Sequence, residues 1–137
     1  MSVAIGRKVP DFSAASTGGE VRLSKLKGRK LVLFFYPKDN TPGCTNEAGD
    51  FRDLHAAFAE AGALVLGVSR DSLKSHEGFK GKLGLPYELV SDPDEALCGQ
   101  FGVMKLKTMY GRQVRGIERS TFVIDTAGKL AHEWRGV

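Results

Sequence analysis

A buried strand that leads through a turn-rich loop into an amphipathic helix is the feature that most constrains this chain. Residues 31–36 are all apolar, which predicts a strand buried on both faces. A helix is predicted after the loop because apolar residues recur at steps of three and four, at Phe51, Leu54, Phe58 and Ala61. Residues 63–68 predict the next strand. The segment is therefore a βαβ unit with two parallel strands.

Thr41 and Pro42 are typical of the start of this helix. Threonine is a favoured N-cap, and proline at the first helical position lacks an amide hydrogen that would otherwise stay unbonded. Cys44 then falls in the first turn, where free amides and the helix dipole favour an anion. Because such positions promote thiolate formation, we predict that Cys44 is a nucleophile.

A buried, unreactive thiol is the alternative for Cys44, since free cysteines are among the most buried residues. The preceding sequence Asp-Asn-Thr-Pro-Gly favours the reactive thiol, because these residue types form turns. Ligands of parallel sheets also gather at the carboxyl ends of strands, where Cys44 is expected to lie.

Length and composition indicate one globular domain over residues 1–137. Hydrophobic residues make up 42% and charged residues 26%, which excludes a disordered tail. No apolar run approaches the roughly 20 residues of a membrane span, and the N-terminus has no signal-peptide core. We therefore expect a cytoplasmic protein.

The net charge of +4 raises the question of nucleic acid, but the basic residues match no nucleic-acid module. Their densest run is expected to be a solvated loop: Lys105, Lys107, Arg112, Arg115 and Arg119. The two cysteines, Cys44 and Cys98, lack the close spacing of a zinc site or a redox CxxC motif. The three histidines share no ligand spacing with them, so no metal site is expected.

The remaining pattern predicts short elements on both sides of the βαβ unit. Extended segments are predicted at residues 9–12, 20–23, 89–90, 119–125 and 129–135, and helical segments at residues 24–26, 72–82 and 94–101. Residues 104–116 are expected to form a loop. This order predicts an α/β fold with a mixed central sheet and helices on both faces, parallel in the middle and antiparallel at one edge.

Motifs spread over the chain resemble those of the peroxiredoxins. Pro37, Thr41 and Cys44 form a PxxxTxxC pattern, and FYPKDNTPGCT is similar to the bacterioferritin-comigratory (PrxQ) branch. VPDF, MYG, GIERSTFVID and EWR extend the resemblance over nearly the whole chain. The resemblance implies a thioredoxin-like fold and a peroxidase that needs no prosthetic group.

The same resemblance implies roles for four residues. Cys44 is the peroxidatic cysteine, and Pro37 shields it. Thr41 hydrogen-bonds the sulfur and the peroxide, and Arg119 supplies the second positive charge. Attack of a thiolate on an O–O bond places negative charge on the departing oxygen, which preplaced donors must stabilise. Apart from the motif, Arg119 is interpreted equally well as an exposed strand end.

The chain departs from many relatives of this branch in its second cysteine. Such relatives carry a resolving cysteine five residues after the first, where this chain has Gly49, or in the next helix, where residues 72–82 contain none. Cys98 has apolar neighbours, so a buried structural thiol is favoured over a resolving one. The implied enzyme is of the one-cysteine type and is reduced by an external thiol such as glutathione, glutaredoxin or thioredoxin.

The leading hypothesis is thus a thiol-dependent peroxidase for hydrogen peroxide and small organic hydroperoxides. A general disulfide reductase is an alternative, and the missing CxxC motif argues against it. A redox-sensing or holdase-like binding protein would use the same reactive cysteine and needs a partner surface. We expect a monomer, because no extended apolar surface element is predicted.

Overall fold

The computed structural model describes residues 3–26 and 28–136. Its strands are β1 Ser13–Ser16, β2 Gly19–Arg22, β3 Lys30–Phe35, β4 Ala63–Ser69, β5 Glu88–Ser91, β6 Met104–Met109, β7 Arg112–Ile117, β8 Ser120–Ile124 and β9 Leu130–Arg135. Its α-helices are α1 Pro42–Asp53, α2 His55–Glu60, α3 Leu73–Leu83 and α4 Ala96–Gln100, and Leu23–Leu26 form a 3-10 turn. The predicted βαβ unit is confirmed as β3, α1 with α2, and β4.

Seven strands form one mixed sheet in the order β2-β1-β5-β4-β3-β8-β9. The central strands β3, β4 and β5 are parallel because helices cross over between them. Antiparallel pairing is found on both sides, where β1 joins β5 and β8 joins β3. The prediction of one antiparallel edge was therefore wrong, because the N-terminal hairpin pairs with β5 and so extends the second edge.

Two apolar clusters cover the two faces of this sheet. Alternate residues of β3 point to opposite faces, so Leu31, Leu33 and Phe35 enter one cluster and Val32 and Phe34 enter the other. Buried residues of α4 belong to the first cluster, and buried residues of α1 and α3 belong to the second. The predicted α/β, thioredoxin-like arrangement with helices on both faces is confirmed.

The helix after β3 is interrupted, contrary to the single stripe predicted from its periodicity. Leu54 separates α1 from α2 and is 55% exposed, and Ala61 is also exposed. Phe51 and Phe58 pack against the second cluster, and their rings are stacked 5.8 Å apart. The break turns Leu54 out of the stripe while the two phenylalanines stay on the sheet.

Residues 104–116 are not the predicted loop, because β6 and β7 pair as a separate two-stranded antiparallel sheet. Tyr110 and Gly111 form the turn with φ values of 53° and 75°. Positive φ at both central residues is the geometry of a tight hairpin turn that matches strand twist. Only the first strand carries an alternating pattern, Met-Lys-Leu-Lys at residues 104–107, and the second strand has none.

The last two helices differ in how well their bounds were predicted. Ser72 caps α3 by accepting a hydrogen bond from the Ser75 amide, and Gly84 ends it in the left-handed conformation, as expected for residues 72–82. The helix predicted over residues 94–101 begins later, at Ala96, because Glu95 has a φ of 62°. No α-helix within residues 3–26 or 28–136 is long and apolar enough to cross a membrane.

Candidate active site

Cys44 lies where the parallel part of the sheet meets α1. The chain leaves the carboxyl end of β3, passes through residues 36–41, and enters α1 at Pro42 with Thr41 as an extended N-cap. Cys44 is the third residue of α1 and is only 1% exposed. Its sulfur therefore lies beside the first-turn amides, which have no carbonyl partner within the helix and favour an anion.

Strand pairing brings Arg119 to this sulfur. In the antiparallel register of β3 and β8, Ser120 lies opposite Phe35, so the residue before Ser120 reaches the end of β3. Arg119 Nη2 donates to Cys44 Sγ at 3.1 Å. A guanidinium at this distance stabilises negative charge on the sulfur.

Glu47 completes the contact from the other side of the guanidinium. Arg119 Nη1 donates to Glu47 Oε1 at 2.7 Å, and the two side chains are 22% and 14% exposed. Glu47 follows Cys44 by three positions, so both lie on one face of α1. The guanidinium is thus held between a sulfur and a carboxylate on adjacent turns.

Gly43 gives the guanidinium room to lie over the start of α1. A Cβ atom at this position would be 3.3 Å from Arg119 Nη2, closer than side chains normally approach. Any larger residue would therefore press Arg119 away from Cys44 Sγ. The glycine before the cysteine is explained by this clearance rather than by a positive φ.

The pKa values of the two ionic partners move in the direction that partial burial and pairing dictate. Burial raises the pKa of Glu47, and the nearby Arg119 charge offsets only part of that effect. Burial alone would lower the pKa of Arg119, but hydrogen bonds and charge at Cys44 and Glu47 raise it on balance. Arg119 is consequently a permanent cation beside the sulfur.

Thr41 and Pro37 lie on the loop that precedes Cys44. The Thr41 hydroxyl donates to the Lys38 carbonyl at 3.0 Å, and the side chain makes no capping bond to α1. The hydroxyl hydrogen is therefore used in the bond to Lys38, while the lone pairs of Thr41 Oγ1 can still accept a hydrogen bond. Pro37 is half-buried directly after the buried Tyr36. The roles of Thr41 and Pro37 toward peroxide stay predictions.

Comparison with known proteins identifies the family. The model of the AhpC/TSA family matches residues 5–133. The chain belongs to this family. It is 51% identical over 138 residues to the peroxiredoxin Bcp of Bacillus subtilis (strain 168), covering 100% of this chain and 88% of that protein.

Solved structures of AhpC/TSA-family relatives agree with the fold of this chain. The bacterioferritin comigratory protein of Xanthomonas campestris, studied for its alkyl peroxide reduction activity, is 48% identical with a TM-score of 0.90, covering 98% of this chain and 87% of that one. A cysteine-to-serine mutant of PrxQ from Xylella fastidiosa is 44% identical with a TM-score of 0.93, and the match covers 100% of this chain and 88% of that one. The predicted resemblance to the PrxQ branch is confirmed.

Cys98 of this AhpC/TSA-family chain lies in a different environment from Cys44. It is fully buried in the cluster on the opposite face of the sheet, and its amide donates to Asp92 at 2.7 Å. Burial and the Asp92 carboxylate raise the pKa of the Cys98 thiol. Both cysteines are free in the described residues, and the strands of the sheet lie between their clusters.

An open groove of ≈ 480 Å³ runs along α1 next to the Arg119 guanidinium. Gly43 and Glu47 line its end near the sulfur, and Phe51 and Leu54 form an apolar wall farther along the helix. The groove therefore combines a cationic end at Arg119 with an apolar wall.

Two groups that the fold brings to the site were not predicted from the sequence. Glu47 was not singled out, although its spacing of three from Cys44 on a predicted helix is a detectable signal. Asp39 and His76 were also missed, and they are hydrogen-bonded at 2.8 Å beneath the loop that carries Thr41. Nothing local marks that pair, because 37 positions separate its members.

Proposed function

We propose that this chain is a thiol-dependent peroxidase for hydrogen peroxide and small organic hydroperoxides. The single observation that carries the proposal is the 3.1 Å contact of Arg119 Nη2 with Cys44 Sγ in an AhpC/TSA-family chain. A thiolate so placed attacks the terminal oxygen of the peroxide, a sulfur–oxygen bond forms, and the O–O bond breaks. The leaving alkoxide or hydroxide takes a proton and departs as alcohol or water, while Cys44 is oxidised to sulfenic acid.

The groups around Cys44 support this reaction by stabilising charge that moves from sulfur to oxygen. Arg119 and the first-turn amides of α1 are fixed before the reaction, so they need no reorganisation in the transition state. Glu47 holds the guanidinium in place through the 2.7 Å bond to Nη1. In the proposal, Thr41 Oγ1 accepts a hydrogen bond from the peroxide O–H, and Pro37 limits access of water to the sulfur.

The proposed cycle uses Cys44 as its only protein thiol and two equivalents of an external thiol. Cys98 lies in the cluster on the opposite face and is fully buried, and a disulfide requires Cα atoms within roughly 7 Å. A thiol such as glutathione, glutaredoxin or thioredoxin therefore attacks the Cys44 sulfenic acid, releases water, and is itself oxidised when a second thiol restores Cys44. We also propose a single domain over residues 1–137 that acts as a cytoplasmic monomer, and the two free cysteines fit a reducing compartment.

The test compares peroxide consumption by wild type, Cys44→Ser and Cys98→Ser with dithiothreitol as reductant. We expect turnover by wild type and Cys98→Ser and none by Cys44→Ser, because serine preserves the helix start but supplies no thiolate. Insulin reduction and retention of an unfolded client protein, measured in parallel, report the disulfide-reductase and holdase alternatives. Turnover by Cys44→Ser comparable to wild type would remove Cys44 as the nucleophile and overturn the proposal.

A further inference from the structure

A buried polar network lies directly beneath the loop that leads to Cys44. Asp39 lies two positions before the helix cap and is 4% exposed, and His76 on α3 is completely buried. His76 Nδ1 lies 2.8 Å from Asp39 Oδ2, and His76 Nε2 lies 2.9 Å from the Val90 carbonyl of β5. One side chain of α3 thus joins the loop to the sheet.

The hydrogen bonds around the pair favour an ionised Asp39. The Val90 carbonyl only accepts, so His76 Nε2 must carry a hydrogen. Tyr36 donates to Asp39 Oδ1 at 2.6 Å, and the Ser75 hydroxyl donates to Asp39 Oδ2 at 2.8 Å. Asp39 Oδ2 also lies within hydrogen-bond distance of His76 Nδ1, and the Tyr36 hydroxyl lies 3.4 Å from the same nitrogen.

The titratable groups around this pair support that protonation state. Burial opposes ionisation of Asp39, but hydrogen bonds from His76 and Tyr36 lower the pKa of Asp39 on balance. Burial and the Asp39 charge raise the pKa of Tyr36, so its hydroxyl keeps its proton and donates. Asp71, on the segment between β4 and α3, faces the pair from the remaining side and accepts from the Asp39 amide at 2.9 Å.

The network is an internal tie rather than a vacant ligand set. Ligand-type atoms of Asp39, Asp71 and His76 lie within 4.8 Å of one another. Each of these residues is already hydrogen-bonded within the protein, since Asp71 Oδ2 also accepts from Ser69 at 2.7 Å. Asp39 is therefore fixed to the end of β3, to the segment after β4 and to α3 at once.

Stability alone does not explain a buried pair of titratable side chains at this place. Desolvation of buried polar and charged groups consumes much of their attraction, and apolar residues of similar volume often stabilise a core as well or better. Phe79, one turn further along α3, is such an apolar residue and is 1% exposed. What the pair supplies, and an apolar contact does not, is a directional bond to the loop between β3 and Cys44.

We propose that His76 is a positioning residue of the peroxidase, which acts through Asp39 to hold the loop of Pro37 and Thr41 in the geometry that receives peroxide. The inference rests on the proposed function and adds a residue that touches neither peroxide nor Cys44. If the tie is cut, Thr41 and the start of α1 lose their fixed place relative to Arg119. Displacement of reacting groups by about 1 Å costs up to roughly 100-fold in rate.

The test uses His76→Gln and Asp39→Asn, with Phe79→Leu as a matched control on the same buried face of α3. For each folded protein, one measures single-turnover oxidation of Cys44 by hydrogen peroxide, alkylation of Cys44 by iodoacetamide, and urea unfolding. Alkylation needs the thiolate and access to Cys44, which is only 1% exposed, so positioning is reported by a ratio that falls because the peroxide rate falls, whereas a loosened site raises the alkylation rate. A purely structural role changes unfolding but leaves this ratio unchanged.

We expect the ratio of peroxide rate to alkylation rate to fall by about 10- to 100-fold in both network variants and to stay near wild type in Phe79→Leu. The double variant should be no slower than the slower single variant, because both substitutions cut one contact. An unchanged ratio in the network variants, or an equal fall in Phe79→Leu, would overturn the inference while leaving the peroxidase assignment in place. Absence of wild-type peroxide reduction would instead overturn the proposed function.

Ser75→Ala keeps the inference testable if the variants of the pair do not fold. It removes one donor to Asp39 Oδ2 from a half-buried site and leaves both side chains of the pair in place. We expect a loss of about threefold or more in the same ratio, because Asp39 is then held less firmly. A ratio equal to that of wild type would count against positioning by this network.

Discussion

Replacement of Arg119 by alanine is the most direct test of the reaction geometry. Two contacts are lost together, the 3.1 Å bond to Cys44 Sγ and the 2.7 Å bond to Glu47 Oε1. At 3.1 Å the attraction between unit charges is about 5 kcal/mol for an effective dielectric constant near 20. Arg119 stabilises the thiolate before the reaction as well. Only the extra stabilisation that it gives to the transition state, where negative charge moves onto the leaving oxygen, changes the rate.

The expected loss for Arg119→Ala is about 100-fold in the second-order rate constant. Removal of one preplaced donor typically costs roughly 100- to 1,000-fold. The lower end applies here because the Arg119 side chain is 22% exposed and water replaces part of its contribution. Arg119→Lys should recover only part of the rate, since an ammonium lacks the planar fork that bonds Cys44 Sγ and Glu47 together.

Rapid-quench oxidation followed by dimedone trapping and mass spectrometry measures this constant under single-turnover conditions. Measurements at neutral pH and well above the ordinary thiol pKa of about 8.5 separate two effects. A defect that persists at high pH arises in the transition state, and one that vanishes arises from loss of thiolate. Arg112→Ala, on exposed β7, makes the same side-chain and charge change and should match wild type. An Arg119→Ala rate within about threefold of wild type at both pH values would refute the reasoning.

Three further predictions concern the second cysteine, the carboxylate and the packing of the sheet. One equivalent of peroxide should leave dimedone-reactive Cys44 in both wild type and Cys98→Ser; a Cys44–Cys98 disulfide in the wild-type mass spectrum would contradict the one-cysteine cycle. Glu47→Gln should slow peroxide reduction yet gain stability relative to wild type as pH rises from about 4 to 7. Burial raises the pKa of Glu47 above 4.5, so ionisation of Glu47 destabilises the wild-type fold as pH rises through that window. Urea unfolding at several pH values measures this, and a free energy of unfolding that rises with pH more in wild type than in Glu47→Gln would contradict it. Gly67→Ala should cost about 1–3 kcal/mol of unfolding free energy, because its Cβ would lie 2.7 and 2.8 Å from two core side chains. Gly78→Ala, in open space on α3, should add about 0.5–1 kcal/mol, and equal effects of the two substitutions would refute the packing argument.

Much of the local structure around Cys44 was predictable because its causes lie within a few residues. The apolar run of residues 31–36 indicates a buried strand, and Thr41 with Pro42 indicates the start of α1. These signals placed Cys44 in the first helical turn at the carboxyl end of a parallel strand. The Leu54 break was not predictable from periodicity, because packing against the sheet rather than the stripe decides where the helix ends.

The hairpin of β6 and β7 was not predicted from the pattern of apolar and polar residues. Residues 104–107 alternate as Met-Lys-Leu-Lys, but residues 112–117 do not alternate, so only one of the two strands carries the pattern of a half-buried strand. The turn at Tyr110 and Gly111 was the available signal, and a positive φ at Tyr110 weakens it because such conformations are uncommon outside glycine and asparagine.

The sequence alone determined that Cys44 lies in the first turn of α1, because the signals that start this helix lie within one short segment. The tertiary structure decided what surrounds that cysteine. Arg119 reaches Cys44 only because β8 pairs with β3 in a register that sets Ser120 opposite Phe35. His76 reaches Asp39 only because α3 packs on the same face of the sheet as α1. Contacts between residues so far apart in the chain depend on strand register and helix packing, which no local pattern specifies.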